Sequence, residues 1–229
     1  MSDAVVNSDL GALQRLMSQR FSCRAYRPDS VPEDVIRSIL EVAGKTPSWC
    51  NVQPWRLVIA SRETTDAFRA ALTDYATRHP EIESDLPFPR EYRGIYAERR
   101  RTSGYALYDA LGIDRRDKAR REAQSFENFR MFGAPHVAIV TMPADLGPYA
   151  AVDCGGFVTA FLLAAQALGV ATTPQAALAR HAAFVRTYFG IDDGLAMVCG
   201  VSFGYANLEH PANLFRTTRA PLDEVMRFA

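Results

Sequence analysis

The feature that most constrains this fold is a long stretch without charge. No charged side chain occurs over residues 154–179, and the segment 157–170 within it is strongly apolar. A helix that is apolar on every side must be covered on every side, either by protein or by lipid. The glycines at Gly155-Gly156 and Gly169 leave an apolar core shorter than the roughly 20 residues that a membrane span needs. We therefore predict a buried helix without membrane association, and we expect a second subunit to supply part of its cover.

Composition and charge indicate a soluble globular protein with one core. Of the 229 residues, 48% are hydrophobic and 23% are charged, which is typical of globular domains. A chain of this length supports one sizeable core better than two, so we predict a single domain over residues 1–229. The 26 basic residues balance the 26 acidic ones, and this balance gives no reason to expect a nucleic-acid partner.

Cysteine and histidine usage argues against disulfides and metal sites. The four cysteines form no Cys-x-x-Cys pair, and the four histidines are scattered along the chain. We therefore expect neither a disulfide framework nor a metal ion. Residues 1–10 carry polar and acidic groups instead of the apolar segment of a signal peptide. These observations favour a reducing compartment, and we predict a cytoplasmic location.

Hydrophobic periodicity predicts more helices than strands. The first helix is indicated by Val6, Leu10, Leu13 and Met17, which recur at helical spacing. This balance predicts an α+β fold in which helices wrap a central sheet. Helices are predicted up to about Gln19, over residues 32–44, after Ser61, over the apolar stretch, over His181–Tyr188 and over Leu222–Phe228. Strands are predicted over Trp55–Ala60, His136–Met142 and Leu195–Phe203.

The segment 79–121 differs from the rest of the chain. It is rich in Pro, Tyr and Arg, and it contains the run Arg99-Arg100-Arg101. Acidic residues are interleaved with the basic ones, which indicates a solvated face more than a nucleic-acid patch. We expect an excursion from the core that is partly helical and partly loop, and we interpret it as a cover over a substrate pocket.

Two motifs match known sites without their structural context. Gly200-Val201-Ser202-Phe203-Gly204 fits the Gly-x-Ser-x-Gly pattern of serine hydrolases, but that motif needs a helix directly after the serine and an acid and a histidine further on. Turn-forming residues follow here instead. Gly44-Lys45-Thr46 resembles the end of a phosphate-binding loop, but it ends a predicted helix instead of starting one. We keep the hydrolase as an alternative hypothesis that depends on Ser202.

Three other segments carry residues suited to a phosphorylated planar ligand. Arg20, Ser22 and Arg24 alternate along an extended stretch, and residues two apart in such a stretch point to one side. Two guanidinium groups and a hydroxyl on one side suit a phosphate monoester. Surface ion pairs are the alternative for this segment.

One of the other two segments offers flat side chains to a ligand, and the other would let its backbone come close to a ligand. The loop 47–55 holds two Trp, two Pro, one Asn and one Gln, a combination that suits a planar heterocycle with donors and acceptors on its rim. In the segment 172–178, small residues would let backbone amides reach a ligand. A packed structural loop and a turn between helices remain the alternatives for these two segments.

Taken in order, these segments resemble the nitroreductase family. The motifs that carry the resemblance are Arg-x-Ser-x-Arg at residues 20–24, Pro-Ser-x-x-Asn-x-Gln-Pro-Trp at 47–55, Leu-Gly-Val before Pro-Gln-Ala-Ala-Leu at 168–178, and Phe-Gly-Tyr-Ala at 203–206. The resemblance runs from about residue 15 to the C-terminus. The Ser-Trp-Cys-Asn form of the second motif, together with residues 213–219, resembles the branch that contains nitrobenzoate reductases.

The resemblance implies an intertwined homodimer with a mostly antiparallel sheet and an FMN site that both subunits build. Arg20, Ser22 and Arg24 would hold the phosphate and the flavin edge, and Arg219 would assist at the phosphate. No protein side chain is predicted to be a catalytic acid or base. The remaining implied contacts are Asn128 and Arg130 near the pyrimidine edge, Gln175, Ala176 and Ala177 along the isoalloxazine, and Pro47, Ser48, Trp49 and Asn51 from the other subunit.

The resemblance also implies an activity. A family member would take hydride from NAD(P)H and pass it in a second half-reaction to a nitroaromatic or quinone-type acceptor. The alternatives are reductive dehalogenation or dehydrogenation on the same scaffold, and a non-catalytic FMN-binding redox protein.

Overall fold

The computed structural model describes residues 9–229. At its centre is a four-stranded sheet in which every neighbouring pair of strands is antiparallel, in the order β1-β2-β4-β3. The strands are β1 (Arg56–Ala60), β2 (His136–Pro143), β3 (Ala171–Gln175) and β4 (Leu195–Gly204). The prediction of an α+β fold around a mostly antiparallel sheet is confirmed.

Most of the predicted helices are present, although several of their ends differ. The first helix ends at Gln19 as predicted, while Val6 lies outside the described residues. The helix after Pro32 buries Ile36, Ile39 and Ala43, as its apolar spacing predicts. Among residues 9–229, the α-helices are α1 (Asp9–Gln19), α2 (Glu33–Ala43), α3 (Arg62–Arg78), α4 (Gly94–Ala110), α5 (Lys118–Phe126), α6 (Gly147–Ala167) and α7 (Ala182–Phe189).

Helices cover both faces of the sheet. Successive side chains of a strand point to opposite faces, and β2 uses this alternation fully: Ala138 and Val140 pack with α2 and α6, whereas Val137 and Ile139 pack with α3 and α7. Burial on both faces explains why β2 and β4 are mainly apolar instead of alternating regularly with polar residues. The two clusters of buried side chains form the core on either side of the sheet.

The apolar helix is longer than its sequence suggested. We expected Gly155-Gly156 to mark its start, but α6 begins at Gly147 and both glycines lie within it. Gly156 lies close to the loop after α2, because a Cβ there would stand 3.1 Å from Thr46 Cγ2. By length and composition α6 could cross a membrane, so the length argument was wrong. Its contacts with α2 and the sheet nevertheless make it the core helix of the fold.

One strand was missed. We read residues 172–178 as a loop or a turn between helices, whereas Ala171–Gln175 forms β3 and Ala176–Arg180 forms a 3-10 helix. Pro174 obscured the strand, because proline lacks the N–H that a central strand needs. β3 tolerates this proline because it is an edge strand that pairs with β4 alone in the sheet.

The excursion is partly helical, as predicted. It contains α4 and the start of α5, joined by loops. None of the residues of α4 is fully buried in the single chain. At the C-terminus, the predicted helix over residues 222–228 is reduced to a 3-10 turn at Leu222–Glu224.

Candidate functional site

Arg20, Ser22 and Arg24 line one cavity of about 280 Å³, as the alternation of an extended segment predicted. Arg219, which is distant in sequence, lines the same cavity. None of the described residues that line it is acidic. The remaining lining residues are Met17, Ser18, Phe21, Ser103, Phe215, Arg216 and Thr217.

Backbone hydrogen bonds hold the segment 20–24 in place. The Cys23 N–H donates to the Thr172 carbonyl oxygen at 3.0 Å, so this segment lies beside β3. The Arg24 N–H donates to Oδ1 of Asn213 at 2.7 Å. Asn213 is 1% exposed, and its Nδ2 donates to the carbonyl oxygens of Ala25 and Asn207. One buried amide therefore joins the arginine segment to the C-terminal part of the chain.

The cavity is electrostatically prepared for an anion. Burial, and then the positive charge of Arg219, lower the pKa of Arg20. The Nε atom of Arg20 is buried and has no hydrogen-bond partner among the described residues. Burial also lowers the pKa of Arg24. Because an unpaired buried cationic donor is costly, an anion in this cavity would remove a penalty that the protein alone carries.

A second cavity of about 210 Å³ adjoins the first and shares Ser22 and Arg24 with it. Asn128 and Pro174 lie on its wall, together with Leu107 and Tyr108 of α4. The two cavities thus place cationic donors at one end and a mixed apolar and amide surface at the other. This arrangement fits an elongated ligand that has an anionic end and a ring.

Gln175 reaches the site differently from the prediction. Its side chain is 2% exposed, and its Nε2 donates to the backbone oxygen of Asn128 at 2.9 Å. Ala176 is exposed and Ala177 is half-buried, and neither lies on the wall of either cavity in the single chain, so their predicted contacts with the ring stay predictions. Gly200 allows this turn to pack on β4, because a Cβ there would lie 2.4 Å from Leu178 Cδ1.

Arg130 lies on neither cavity wall. Its guanidinium pairs with Glu127 at 2.6 Å and lies over the ring of Phe126. The backbone oxygen of Arg130 accepts a hydrogen bond from Arg69 at 2.9 Å. Its predicted contact with the pyrimidine edge stays a prediction.

The loop 47–54 is separate from both cavities in the single chain. Trp49 is 63% exposed and packs edge-on against Tyr149 of α6, with a centroid distance of 4.8 Å. The Trp49 N–H donates to the carboxylate of Asp153 at 3.2 Å, and the Gln53 N–H donates to Oγ of Ser48 at 2.9 Å. Pro47, Ser48, Trp49 and Asn51 therefore form a second group, held against α6.

The backbone of this loop is strained. Cys50, Asn51 and Gln53 have φ angles of 52°, 55° and 50°. Positive φ is unfavourable for residues other than glycine, and such strain clusters at functional sites. The packing of Trp49 on α6 helps to keep this conformation.

Several wall residues were not predicted. Ser103, Leu107 and Tyr108 come from α4, and Arg216 comes from the C-terminal part. Asn213 lies on neither wall, but its bond to the Arg24 N–H was not predicted either. Asn213 gave no pattern of its own in the sequence. In α4, Ser103 and Leu107 are four residues apart and share a helix face, whereas Tyr108 is turned about 100° from Leu107. No single spacing pattern therefore indicated all three.

The hydrolase alternative does not fit the structure. Ser202 is fully buried within β4, and its hydroxyl donates to Oε1 of Gln175. No α-helix follows it directly, and the next residues lead into a turn. In residues 9–229, no group of three or more His, Cys, Asp or Glu side chains could hold a metal ion.

An antiparallel α+β fold with a cationic cavity joined to a second cavity is the arrangement expected of a protein that binds a phosphorylated cofactor. Comparison with known proteins gives the family. The family model described as "Nitroreductase family" matches residues 17–205. The chain belongs to the nitroreductase family, as the sequence motifs indicated.

The relatives are similar over nearly their whole length. Nitroreductase NfnB of Mycolicibacterium smegmatis is 38% identical over 221 residues, covering 95% of this chain and 93% of that protein. The 4-nitrobenzoate reductase of Nocardioides sp. is 33% identical, covering 95% of this chain and 90% of that protein. The crystal structure of the FMN-dependent nitroreductase NfnB from Mycobacterium smegmatis in complex with NADPH has a TM-score of 0.91 at 36% identity, covering 97% of this chain and 100% of that chain.

Proposed function

We propose that this protein is an FMN-dependent oxidoreductase that oxidises NADPH and reduces nitroaromatic compounds, acting as a cytoplasmic homodimer. The observation that carries the proposal is the convergence of Arg20, Ser22, Arg24 and Arg219 on one cavity. The relatives support it, because the similar crystal structure is of an FMN-dependent enzyme in complex with NADPH and one relative is a 4-nitrobenzoate reductase.

The residues present fit FMN. The phosphate monoester is dianionic near neutral pH, and it would give the buried Nε of Arg20 the partner that it lacks. Asn128 and the backbone at Ala176 and Ala177 would present hydrogen-bonding groups to the rim of the ring. When bound, FMN supplies two-electron hydride transfer, which amino-acid side chains cannot provide. The protein's part is to bind the cofactor, orient it and leave one face open to donor and acceptor in turn.

A homodimer explains the exposed apolar surface of the single chain. Along α6, Tyr149 is 63% exposed and Val152 is 68% exposed. Trp49 and Val52 of the adjacent loop are also exposed. Contiguous exposed apolar surface of this kind marks an interaction site. We infer that α6 and the loop 47–54 face a second copy, so that Pro47, Ser48, Trp49 and Asn51 reach the partner's FMN.

The excursion over residues 79–121 would cover the cofactor on the side away from the partner's loop 47–54. Ser103 lines the cationic cavity, and Leu107 and Tyr108 line the adjoining one. The guanidinium of Arg99 pairs with Glu224 at 2.7 Å and ties α4 to the C-terminal segment. If α4 is a cover, FMN slows hydrogen exchange of its backbone amides, since a helix held by few contacts opens readily. Exchange rates in α4 that FMN leaves unchanged would contradict this role.

Anaerobic titration tests the proposed activity. NADPH is expected to bleach the visible absorption of the FMN-loaded protein, and 4-nitrobenzoate is expected to restore it. Each reduced FMN supplies two electrons, so one equivalent gives the nitroso compound and a second gives the hydroxylamine. A quinone and a halogenated phenol in parallel define the acceptor class, and NADH defines the donor preference. Bound FMN that neither nucleotide reduces would contradict the proposal and indicate a non-catalytic FMN-binding protein.

A further inference from the structure

The Gly-x-Ser-x-Gly segment has a role in this fold, although it is not a hydrolase motif. Ser202 stands on β4 next to β3, with Thr173 as its direct partner and Gln175 as its diagonal neighbour. Its hydroxyl donates to Oε1 of Gln175. Both side chains are buried, with exposures of 0% and 2%. A buried polar pair at the end of β3 lies directly behind the cavity wall.

The pair continues into Asn128, which lines the ring-sized cavity. Nε2 of Gln175 donates to the backbone oxygen of Asn128 at 2.9 Å and lies 3.3 Å from its side-chain Oδ1. Nδ2 of Asn128 in turn donates to the backbone oxygen of Ser125 at 2.9 Å. Hydrogen bonds therefore run from the central strand β4 through Gln175 to Asn128, one of two amide side chains on the wall of this cavity.

The donor and acceptor roles in this series of hydrogen bonds are fixed. A backbone oxygen can only accept, so the Asn128 oxygen requires Nε2 of Gln175 to face it. Oε1 of Gln175 must then face Ser202, whose hydroxyl must donate. The Ser125 oxygen fixes the Asn128 amide in the same way, with Oδ1 towards Gln175. One N–H of Asn128 Nδ2 and one lone pair of Oδ1 are left for a ligand.

We infer that Ser202 and Gln175 are positioning residues that fix the amide of Asn128 as a donor and acceptor for the rim of the bound ring. This inference rests on the proposed FMN-binding function and deepens it. Without the Ser202 hydroxyl, Oε1 of Gln175 loses its buried donor, and the Gln175 amide is free to turn. Oδ1 of Asn128 then loses the Gln175 donor beside it and is held only through the bond of its Nδ2 to Ser125, although neither Ser202 nor Gln175 lines the cavity.

Two substitutions at residue 202 test the inference. Ser202→Ala removes the donor, and Ser202→Cys keeps a weak donor of similar size. We expect FMN binding to the apoprotein, measured by flavin fluorescence, to weaken about tenfold in Ser202→Ala and less in Ser202→Cys. The matched control is Thr65→Val, which removes a fully buried hydroxyl that donates to the Ala60 oxygen at 3.2 Å, in the α3 layer away from the site.

The midpoint reduction potential of bound FMN separates positioning from simple stability. A donor on the ring rim favours the electron-rich form of the cofactor, so losing it is expected to lower the potential. If reduced FMN loses affinity about tenfold more than oxidised FMN, the shift is about 30 mV for two electrons. Thr65→Val is expected to leave the reduction potential unchanged, even if it lowers the midpoint of unfolding as much as Ser202→Ala does.

The outcomes are distinguishable. The inference is supported if FMN affinity and reduction potential fall stepwise from Ser202 to Ser202→Cys to Ser202→Ala while Thr65→Val leaves both unchanged. If Ser202→Ala does not fold, Ser202→Cys alone supplies the test. Wild-type affinity and potential in the variants at residue 202 overturn the inference alone. A wild-type protein that takes up no FMN overturns the proposed function, and the inference with it.

Discussion

Arg20 and Arg219 share one cavity although both are cationic, and the positive charge of Arg219 adds to burial in lowering the pKa of Arg20. Two like charges in one cavity destabilise the protein unless an anion lies between them. The sequence separation of these residues shows that tertiary structure brings them together. The pair is therefore the clearest sign, among the described residues, of a cavity suited to an anion.

Inorganic phosphate is expected to stabilise the apoprotein through this pair. At about 100 times its Kd, a ligand that binds only the folded state raises the free energy of unfolding by about 2.7 kcal/mol. Arg20→Ala is expected to abolish the effect, as measured by urea unfolding at constant ionic strength. Arg37→Ala, which removes an exposed arginine paired with Glu33 on α2, serves as the control. Equal phosphate stabilisation of both variants would refute this role of Arg20.

Asn213→Ala is expected to destabilise the protein and weaken FMN binding together. The substitution leaves the Arg24 N–H without its partner. It also removes one hydrogen bond each from the oxygens of Ala25 and Asn207, which still accept from the N–H groups of Asn207 and His210. An unpaired buried group costs about 1–3 kcal/mol and each lost hydrogen bond about 0.5–1.5 kcal/mol, so the free energy of unfolding is expected to fall by about 2–4 kcal/mol. Chemical denaturation and FMN titration measure the two effects. Undiminished FMN affinity would show that Asn213 does not set the position of the arginine segment.

Stability is expected to fall as the pH drops below about 6.5, the ordinary pKa of histidine. Burial lowers the pKa of His136, and its Nε2 accepts a hydrogen bond from the Val31 N–H at 2.9 Å. The folded protein therefore binds fewer protons than the unfolded chain. The contribution of His136 to stability is fully present above the pKa that this histidine has in the unfolded chain, and it is lost as the pH falls towards its lower pKa in the folded protein. Urea unfolding at pH 7.5 and 5.5 measures this change.

His136→Gln supplies the control for the pH effect. Glutamine keeps an acceptor for the Val31 N–H but does not titrate, so the loss of stability between the two pH values is expected to shrink. Burial also lowers the pKa of His181, which accounts for a remaining loss of the same sign. An unchanged pH dependence in His136→Gln would assign the effect to other groups.

Val152→Glu is expected to give a monomer that binds FMN poorly. The substitution places a charge on the exposed face of α6, where burial against a second copy would strip its water at high cost. Leu208→Glu is the matched control, since Leu208 is 63% exposed and lies outside α6 and the loop 47–54. Analytical ultracentrifugation measures the oligomeric state. A Val152→Glu variant that remains dimeric would place the interface elsewhere.

Local sequence patterns predicted those helices and strands whose formation depends on residues close together in the sequence. The apolar spacing in α2 and the mainly apolar run of β2 both reflect burial. Such patterns can be read directly from the sequence. The alternation of Arg20, Ser22 and Arg24 likewise predicted their shared cavity, because an extended segment orients its own side chains.

What the sequence did not reveal depends on contacts between distant segments. β3 contains Pro174 and is acceptable only because it lies at the sheet edge. The glycines within α6 suggested an end that packing against the sheet overrides. Ser103 and Tyr108 belong to α4, a helix without fully buried residues, so no amphipathic pattern marked the face that lines the cavities.

The most direct test of the central claim compares FMN with riboflavin, which lacks only the phosphate. If Arg20, Ser22, Arg24 and Arg219 hold that phosphate, FMN is expected to bind the apoprotein at least about 100-fold more tightly, because charge-assisted hydrogen bonds each contribute about 1.5–3 kcal/mol. Arg20→Ala is expected to reduce this ratio at least tenfold while leaving riboflavin affinity unchanged. Equal affinity of the wild-type protein for FMN and riboflavin would contradict the account.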